Sequence, residues 1–384
     1  MKQLALFFSL FFLSTSINAQ NANSYFPEKG DWETTTSKAA GFSDALLDSV
    51  VNYAIKHEYS GAIDLKVAIL KGFEREPYHE ILGPTKDRGR PAGIILHKGR
   101  ILKQWGDVDR VDMTFSVTKS YLSTVAGLAV DDGYFKVDDP VANLIWDGNF
   151  DGRHNSKITW RHLLTQSSDW SGELFGGKDW ADRPPSEGEI DDWKNRSFNE
   201  PGKVFEYNDV RVNLLAYSLL NVLRKPLPLV LKERIMDKIG ASPTWRWYGY
   251  DHSWVPIDGL QMQSVSGGGH SGGGMFISTL DHARFGLLFQ NEGKWKNEQL
   301  ISSEWIRLAI QPSEANASYG FMWWLNDEKG NRFMEGIDEN VYYAAGFGGN
   351  FIVIDKQNEL VIVTRWLEPR NLKDFLNKVY SAMN

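Results

Sequence analysis

Cysteine is absent from the 384 residues, which removes disulfides, thiolate zinc sites, iron–sulfur clusters and a cysteine nucleophile together. No His-Glu-x-x-His stretch occurs among the eight scattered histidines, and no Gly-x-x-x-x-Gly-Lys-Ser/Thr run exists to cradle a phosphate, so the sequence calls for no metal or cofactor. Basic runs are missing too. With 42 Lys+Arg against 49 Asp+Glu, a net charge of −7, the chain lacks the concentrated positive surface that a nucleic-acid partner requires. No apolar run approaches the ~20 residues needed to cross a bilayer, and no cysteine follows the N-terminal apolar run to carry a lipid, so no membrane anchor is expected. What is present, 42% hydrophobic and 24% charged residues, matches a soluble globular protein of one large domain or two intertwined ones.

Residues 1–19 read as a signal peptide. Lys2 supplies the positive start, Leu4 to Leu13 the apolar segment, and Ser14 to Ala19 a small and polar stretch, with cleavage expected after Ala19 despite the bulk of Ile17. A periplasmic or secreted protein is therefore expected. The sequence carries no signal for its oligomeric state.

In the mature chain, Leu46, Leu47, Val50, Val51 and Ala54 follow a Ser43/Asp44 cap at helical spacing, and Leu372, Phe375, Leu376, Val379 and Tyr380 repeat that pattern near the C-terminus. Ala92 to Leu96 and Ile101 to Trp105 flank Lys98-Gly99 as a hairpin; Phe351 to Ile354 and Leu360 to Thr364 form another around Asp355 to Glu359. Between these strand regions helical patterns dominate from Ser116 to about Arg224, broken by a Gly, Asp, Trp and Pro loop from Ser167 to Pro185. The layout predicts an α+β fold: a sheet domain from residues 20–110 and 255–384, and a mostly helical domain from 111–254 inserted into it.

Three segments carry candidate chemistry. In Ser116-Val117-Thr118-Lys119, a helix starting at Ser116 would put an amine beside a hydroxyl on one face, near unpaired backbone N–H groups. The same letters fit an N-capping serine followed by a solvated lysine. Tyr207, in Glu206-Tyr207-Asn208-Asp209, sits on a turn ahead of an apolar helix, where a phenol can shuttle protons if a nearby ammonium stabilises its phenolate; an aromatic at a domain seam reads alike. Tyr343-Ala344-Ala345-Gly346-Phe347-Gly348-Gly349-Asn350 is a Gly-rich strand edge that lets backbone approach a ligand, or simply bends a hairpin. A fourth segment, Gly269-His270-Ser271-Gly272-Gly273, satisfies Gly-x-Ser-x-Gly, but its only later histidine, His282, is too near and no strand precedes it. Ser264 to Gly274 is read instead as a cleft-lining loop.

In this order, Ser116-x-x-Lys119, Tyr207-Asn208-Asp209 and the C-terminal Gly-rich strand resemble the three motifs of the serine β-lactamase and penicillin-binding protein superfamily. Among its branches the sequence most resembles the class C-like esterases and 6-aminohexanoate-dimer hydrolases. The resemblance implies a β-lactamase/transpeptidase-like fold, with an antiparallel sheet flanked by helices, an inserted all-helical domain and a cleft between them. It implies an ester or amide hydrolase in which Ser116 forms an acyl-enzyme, Lys119 and Tyr207 relay the proton, and the backbone N–H groups of Ser116 and Phe347 hold the oxyanion. Asp209, Trp170, Gly346 and Gly348 are the expected substrate-binding positions. Two departures stand out. Asp209 replaces the usual Asn, so a carboxylate beside Lys119 would favour its ammonium and shift the role of base toward Tyr207; Ala344-Ala345-Gly346 replaces Lys-Thr-Gly, which disfavours carboxylate-bearing substrates such as β-lactams or D-Ala-D-Ala peptides. The alternatives are a β-lactamase or D-Ala-D-Ala peptidase of the same superfamily, and a non-catalytic exported protein that senses acyl compounds or stacks carbohydrate on tryptophans such as Trp170, Trp180, Trp245 and Trp247, more than half of the fifteen tryptophans being expected in the core.

Overall fold

A computed structural model describes residues 25–326, 334 and 336–384; the expected signal peptide lies outside the described residues. Its largest sheet has six antiparallel strands in the order Trp324–Leu325, Tyr342–Gly346, Asn350–Asp355, Leu360–Arg365, Ala92–His97, Arg100–Trp105. Both hairpins expected from strand segments flanking turn residues are present. The first closes through Lys98 and Gly99, whose φ values of 52° and 78° match the strand twist of a two-residue turn.

The central strands Asn350–Asp355 and Leu360–Arg365 are buried along their whole length, because helices cover both faces of the sheet. On the outer face lie the two terminal helices, Asp44–Lys56 and Leu372–Ser381, packing Leu47, Val50, Phe375, Leu376 and Val379 onto Ile95, Val353 and Ile362. Ser43 caps the first of them by accepting from the Leu46 N–H. The inner face is covered by helix Thr279–Gln290, which sits close because Gly286 has no side chain: a Cβ there would stand 2.5 Å from Val361 Cγ1.

A second sheet straddles the two expected domains: Asp112–Met113 and most of Arg246–Ile257 lie in the segment expected to be mostly helical, Leu260–Val265 and Gly274–Ile277 in the expected sheet domain. Its order is Asp112–Met113, Gly274–Ile277, Arg246–Ile257, Leu260–Val265, so the boundary expected between residues 254 and 255 cuts off the last residues of strand Arg246–Ile257, next to its turn. Gly249, Asp251 and Pro256 interrupt that strand and its register shifts between Gly249 and Trp254, so its residues carry no local strand pattern. Helices Thr118–Asp131 and Asp209–Leu223 form the heart of the inserted part, the first buried at every position from Thr118 to Ala129. Arg365 staples the two sheets: it donates to Asn350 Oδ1 at 2.6 Å in the large sheet, and to the carbonyls of Ile277 at 2.8 Å and Met113 at 2.9 Å in the small one. Burial pushes this guanidinium down to about 10, still charged at neutral pH. Met113 is three residues from Ser116, so the staple also fixes where the nucleophile segment starts. Among the described residues no single helix is long and apolar enough to cross a membrane.

Candidate active site

Ser116 does not open the α-helix, as its sequence suggested. It sits in a 3₁₀ turn, Phe115–Val117, that runs into helix Thr118–Asp131. Phe115 holds a left-handed φ of 50°, a strained conformation for a bulky residue that tilts the following serine toward the cleft. The segment is pinned from beneath by Thr114 N–H to the Met275 carbonyl at 2.9 Å and Met275 N–H to Thr118 Oγ1 at 3.1 Å. One turn on, Lys119 is 1% exposed, which removes the reading of a solvated lysine. Its Nζ donates to Ser116 Oγ at 2.9 Å and to Asp209 Oδ1 at 2.5 Å.

Tyr207 reaches the same point from a separate segment. Gln166 fixes the approach: its carbonyl accepts from Glu206 N–H and its side-chain oxygen from Asn208 N–H, at 2.9 and 2.8 Å. Asn208 then caps helix Asp209–Leu223 by accepting from Arg211 N–H at 3.1 Å. Held in this way, the Tyr207 ring lies 4.7 Å from Lys119 Nζ and stacks at 18° on Trp324.

The Gly-rich strand supplies the opposite wall. A Cβ on Gly346 would overlap the Thr114 carbonyl oxygen and stand 3.3 Å from Ser116 N, so only glycine lets strand Tyr342–Gly346 run this close to the nucleophile turn. Phe347 follows, its ring on Phe115 and Phe73. Ser116, Tyr207, Gly346 and Phe347 thus face one cleft of about 530 Å³, otherwise walled mainly by Phe73, Phe115, Trp324, Tyr343 and Phe351.

Three expected substrate contacts lie elsewhere. Asp209 is buried beneath Lys119 and is no part of the cleft lining, because its carboxylate is drawn onto the ammonium. Trp170 is 1% exposed in the helical core, its indole N–H donating to the Asn149 carbonyl at 2.6 Å. Gly348 forms the hairpin turn against Trp366, with φ +77° and a Cβ position 2.7 Å from that ring. Trp324, not Trp170, is the tryptophan of the cleft.

Several residues of the site carry no sequence motif. Arg183, from the loop between Ser167 and Pro185, lines the cleft and forms ion pairs with Asp209 Oδ2 at 2.7 Å and Asp182 Oδ1 at 2.5 Å. The first of these is not an aligned hydrogen bond. Asp182 in turn accepts the backbone N–H groups of Asp209 and Val210, capping their helix. His270 Nε2 meets Glu76 Oε2 at 2.5 Å and its Nδ1 lies 3.2 Å from Arg183 Nη2, so the ring serves best as donor through Nε2 and acceptor through Nδ1. Burial alone would raise Asp209, but Lys119 and Arg183 hold its carboxyl well below the usual carboxylate range. Gly268 packs flat on the Lys119–Asp209 pair, where a Cβ would overlap both charged atoms. The Gly-rich run around it was a usable signal: as expected, the loop reaches the cleft through Gly268 and His270, while Ser271 lines a small chamber of about 60 Å³ behind Asp209. Glu76, His79 and His270 bring possible metal-ligand atoms within 4.8 Å of one another, as do Asp182, Asp209 and His270, though in the second group Lys119 and Arg183 already supply positive charge.

A family model described as Beta-lactamase matches residues 92–366, well over half the chain and all three segments of the site. The chain belongs to the β-lactamase family. Solved structures of similar fold include a protein of Bacillus anthracis described as a 6-aminohexanoate-dimer hydrolase (16% identity, 93% of this chain and 87% of that one, TM-score 0.57). EstCE1, a hydrolase with promiscuous acyltransferase activity, is 14% identical over 90% of this chain and all of that one (100%), at TM-score 0.59. A β-lactamase/D-alanine carboxypeptidase from Pseudomonas syringae is 12% identical over 89% and 99%, also at 0.59. The fold is β-lactamase/transpeptidase-like, and membership of the β-lactamase family makes this protein a serine hydrolase.

Proposed function

We propose that this β-lactamase-family enzyme is exported and hydrolyses uncharged esters or amides through an acyl-enzyme on Ser116. One observation carries the mechanism: Lys119 lies between Ser116 Oγ and a buried carboxylate, at 2.9 and 2.5 Å, while the Tyr207 ring stands 4.7 Å from its ammonium. Paired with Asp209, Lys119 acts as hydrogen-bond donor to the serine and presents its positive charge to the Tyr207 ring. Tyr207 then takes the Ser116 proton as Oγ attacks the substrate carbonyl, and returns it to the departing alcohol or amine. The Ser116 and Phe347 N–H groups receive the developing oxyanion. Water, activated through Tyr207, releases the acid and frees Ser116.

The preference for uncharged substrates rests on the walls. Strand Tyr342–Gly346 presents Ala344-Ala345-Gly346 and no cation, and Arg183 is already paired with two carboxylates. A substrate carboxylate would find aromatic rings and no free positive partner. EstCE1, named as a hydrolase with promiscuous acyltransferase activity, and a structure named as a family VIII carboxylesterase provide precedent for acyl-transfer and ester chemistry on this fold.

A fluorophosphonate probe tests the nucleophile: the wild type labels, Ser116→Ala does not, and absence of label on both returns the protein to the acyl-binding or carbohydrate-binding alternatives. On the labelled enzyme, p-nitrophenyl esters and small amides should turn over much faster than a chromogenic cephalosporin or a D-Ala-D-Ala peptide. Near-normal acylation by Tyr207→Phe would discard the phenol as base. Export is tested by the N-terminal mass of the native protein, expected to begin at Gln20.

A further inference from the structure

Among the described residues, His79 Nδ1 and Asp209 Oδ2 are buried without an aligned hydrogen bond. Both residues line the chamber of about 60 Å³ behind Asp209, and Glu76 and His270 line it with them. We propose that Glu76, His79 and His270 bind a divalent transition-metal cation in this chamber, zinc being the ion their donor set suits. The inference concerns binding alone and stands apart from the reading of Ser116 as nucleophile.

One donor atom from each of the three residues lies within 4.8 Å of the other two. Two imidazoles and a carboxylate leave a fourth position on zinc for water, and a chamber of this size has room for the ion with that water. Glu76 and His79 come from one tight turn, in which Glu76 N–H donates to the Phe73 carbonyl at 2.9 Å and His79 N–H to the Glu76 carbonyl at 3.4 Å. Between them Tyr78 holds a left-handed φ of 62°, a strained conformation for a bulky residue.

The tautomers suit metal binding. His79 Nε2 meets the His270 carbonyl at 3.2 Å; a carbonyl only accepts, so the neutral ring carries its proton there and Nδ1 keeps its lone pair. Without a metal, His270 donates from Nε2 to Glu76 Oε2 at 2.5 Å. With the ion on Nε2, the ring's single proton moves to Nδ1, which stands 3.6 Å from Asp209 Oδ2 and gives that oxygen a donor. Arg183 Nη2 then leaves Nδ1 and keeps Asp209. One zinc ion thus satisfies both orphaned atoms. Charge points the same way: in this contact network Glu76, Asp182 and Asp209 face Lys119 and Arg183, three carboxylates against two cations, so a dication answers a negative excess.

The test is calorimetric titration of the untagged enzyme with zinc chloride, after dialysis against a chelator and then into chelator-free buffer. One zinc ion should bind per chain and raise the thermal unfolding midpoint, and cobalt(II) in its place should give the strong visible absorption of a four-coordinate site. Glu76→Gln and His79→Gln should each weaken zinc by about tenfold or more. Glu76 also accepts the Arg183 N–H at 3.1 Å, so should Glu76→Gln fail to fold, His79→Gln carries the test: His79 is only half-buried, and an amide can replace its Nε2 donor to the His270 carbonyl. Zinc that fails to bind, that binds wild type and His79→Gln equally, or that calcium displaces at equal concentration overturns the proposal. The second result marks adventitious binding at surface histidines, the third a site without imidazole ligands. The hydrolase reading fails separately, through absence of fluorophosphonate label on Ser116, and neither failure entails the other.

Discussion

Gly268 is the residue on which the charged centre closes. Its Cα hydrogens lie where any side chain would meet Lys119 Nζ and Asp209 Oδ1, two atoms buried too deeply to swing aside. Gly268→Ala should therefore separate the ammonium from Ser116 and lower kcat/KM by about 100-fold, the scale of a displacement of about 1 Å in a reacting group. The check is ester turnover measured beside thermal unfolding, since a folded but slow enzyme is the expected result. Nothing local in the sequence marks Arg183 and Glu76, the partners of this centre. Glu76 is 107 residues from Arg183 and 194 from His270, and such pairings exist only after the chain has folded. Ser116, Lys119 and Tyr207 were readable because a helical turn and a capped helix start are local events that leave fixed spacings. Trp170 misled because an aromatic in a Gly-rich loop looks the same in sequence whether it faces a cleft or a core.

At the scale of elements, the wall opposite Tyr207 depends on one tight hairpin. Gly349 has φ +78°, and a Cβ there would run into the Leu367 carbonyl oxygen, so Gly349→Ala combines backbone strain with a clash against main chain. A stability loss of about 2 kcal/mol or more is expected in urea unfolding, with ester turnover falling as strand Tyr342–Gly346 shifts from the Ser116 turn. Apolar runs flanking turn residues and helices with one apolar face were legible in advance, which covers the large sheet's two hairpins and both terminal helices. The small sheet was not. Its longest strand alternates poorly and is held by partners at Gly274–Ile277 and Leu260–Val265, so pairing overrides the weak local preference of Arg246–Ile257.

Across the molecule, buried histidines set how stability follows pH. His282 is fully enclosed between Thr114 Oγ1 at 2.7 Å and Tyr121 OH at 2.8 Å, and burial, with Arg365 adding to it, pushes its imidazolium well below the ordinary range. The unfolded chain takes up a proton near pH 6.5 and the folded one resists it, so folding stability should decline as pH falls below that value, by up to about 1.4 kcal/mol per unit for this residue. His79, His97 and His162 are lowered as well, chiefly by burial, and add to the slope. Urea midpoints from pH 7 to 5 should fall more gently for His282→Gln than for the wild type. Asp209 acts in a lower window: its depressed carboxyl contributes fully above about pH 4 and progressively less below it, so the centre should outlast the histidines in acid.

The terminal helix Leu372–Ser381 covers the face of the large sheet opposite helix Thr279–Gln290. Asn384 N–H donates to the Gly41 carbonyl at 2.9 Å, so a tether joined at Asn384 leaves from beside helix Ser37–Ala40, none of whose residues lines the cleft, and the enzyme fixed to a bead by that end should still admit and release its small reactants.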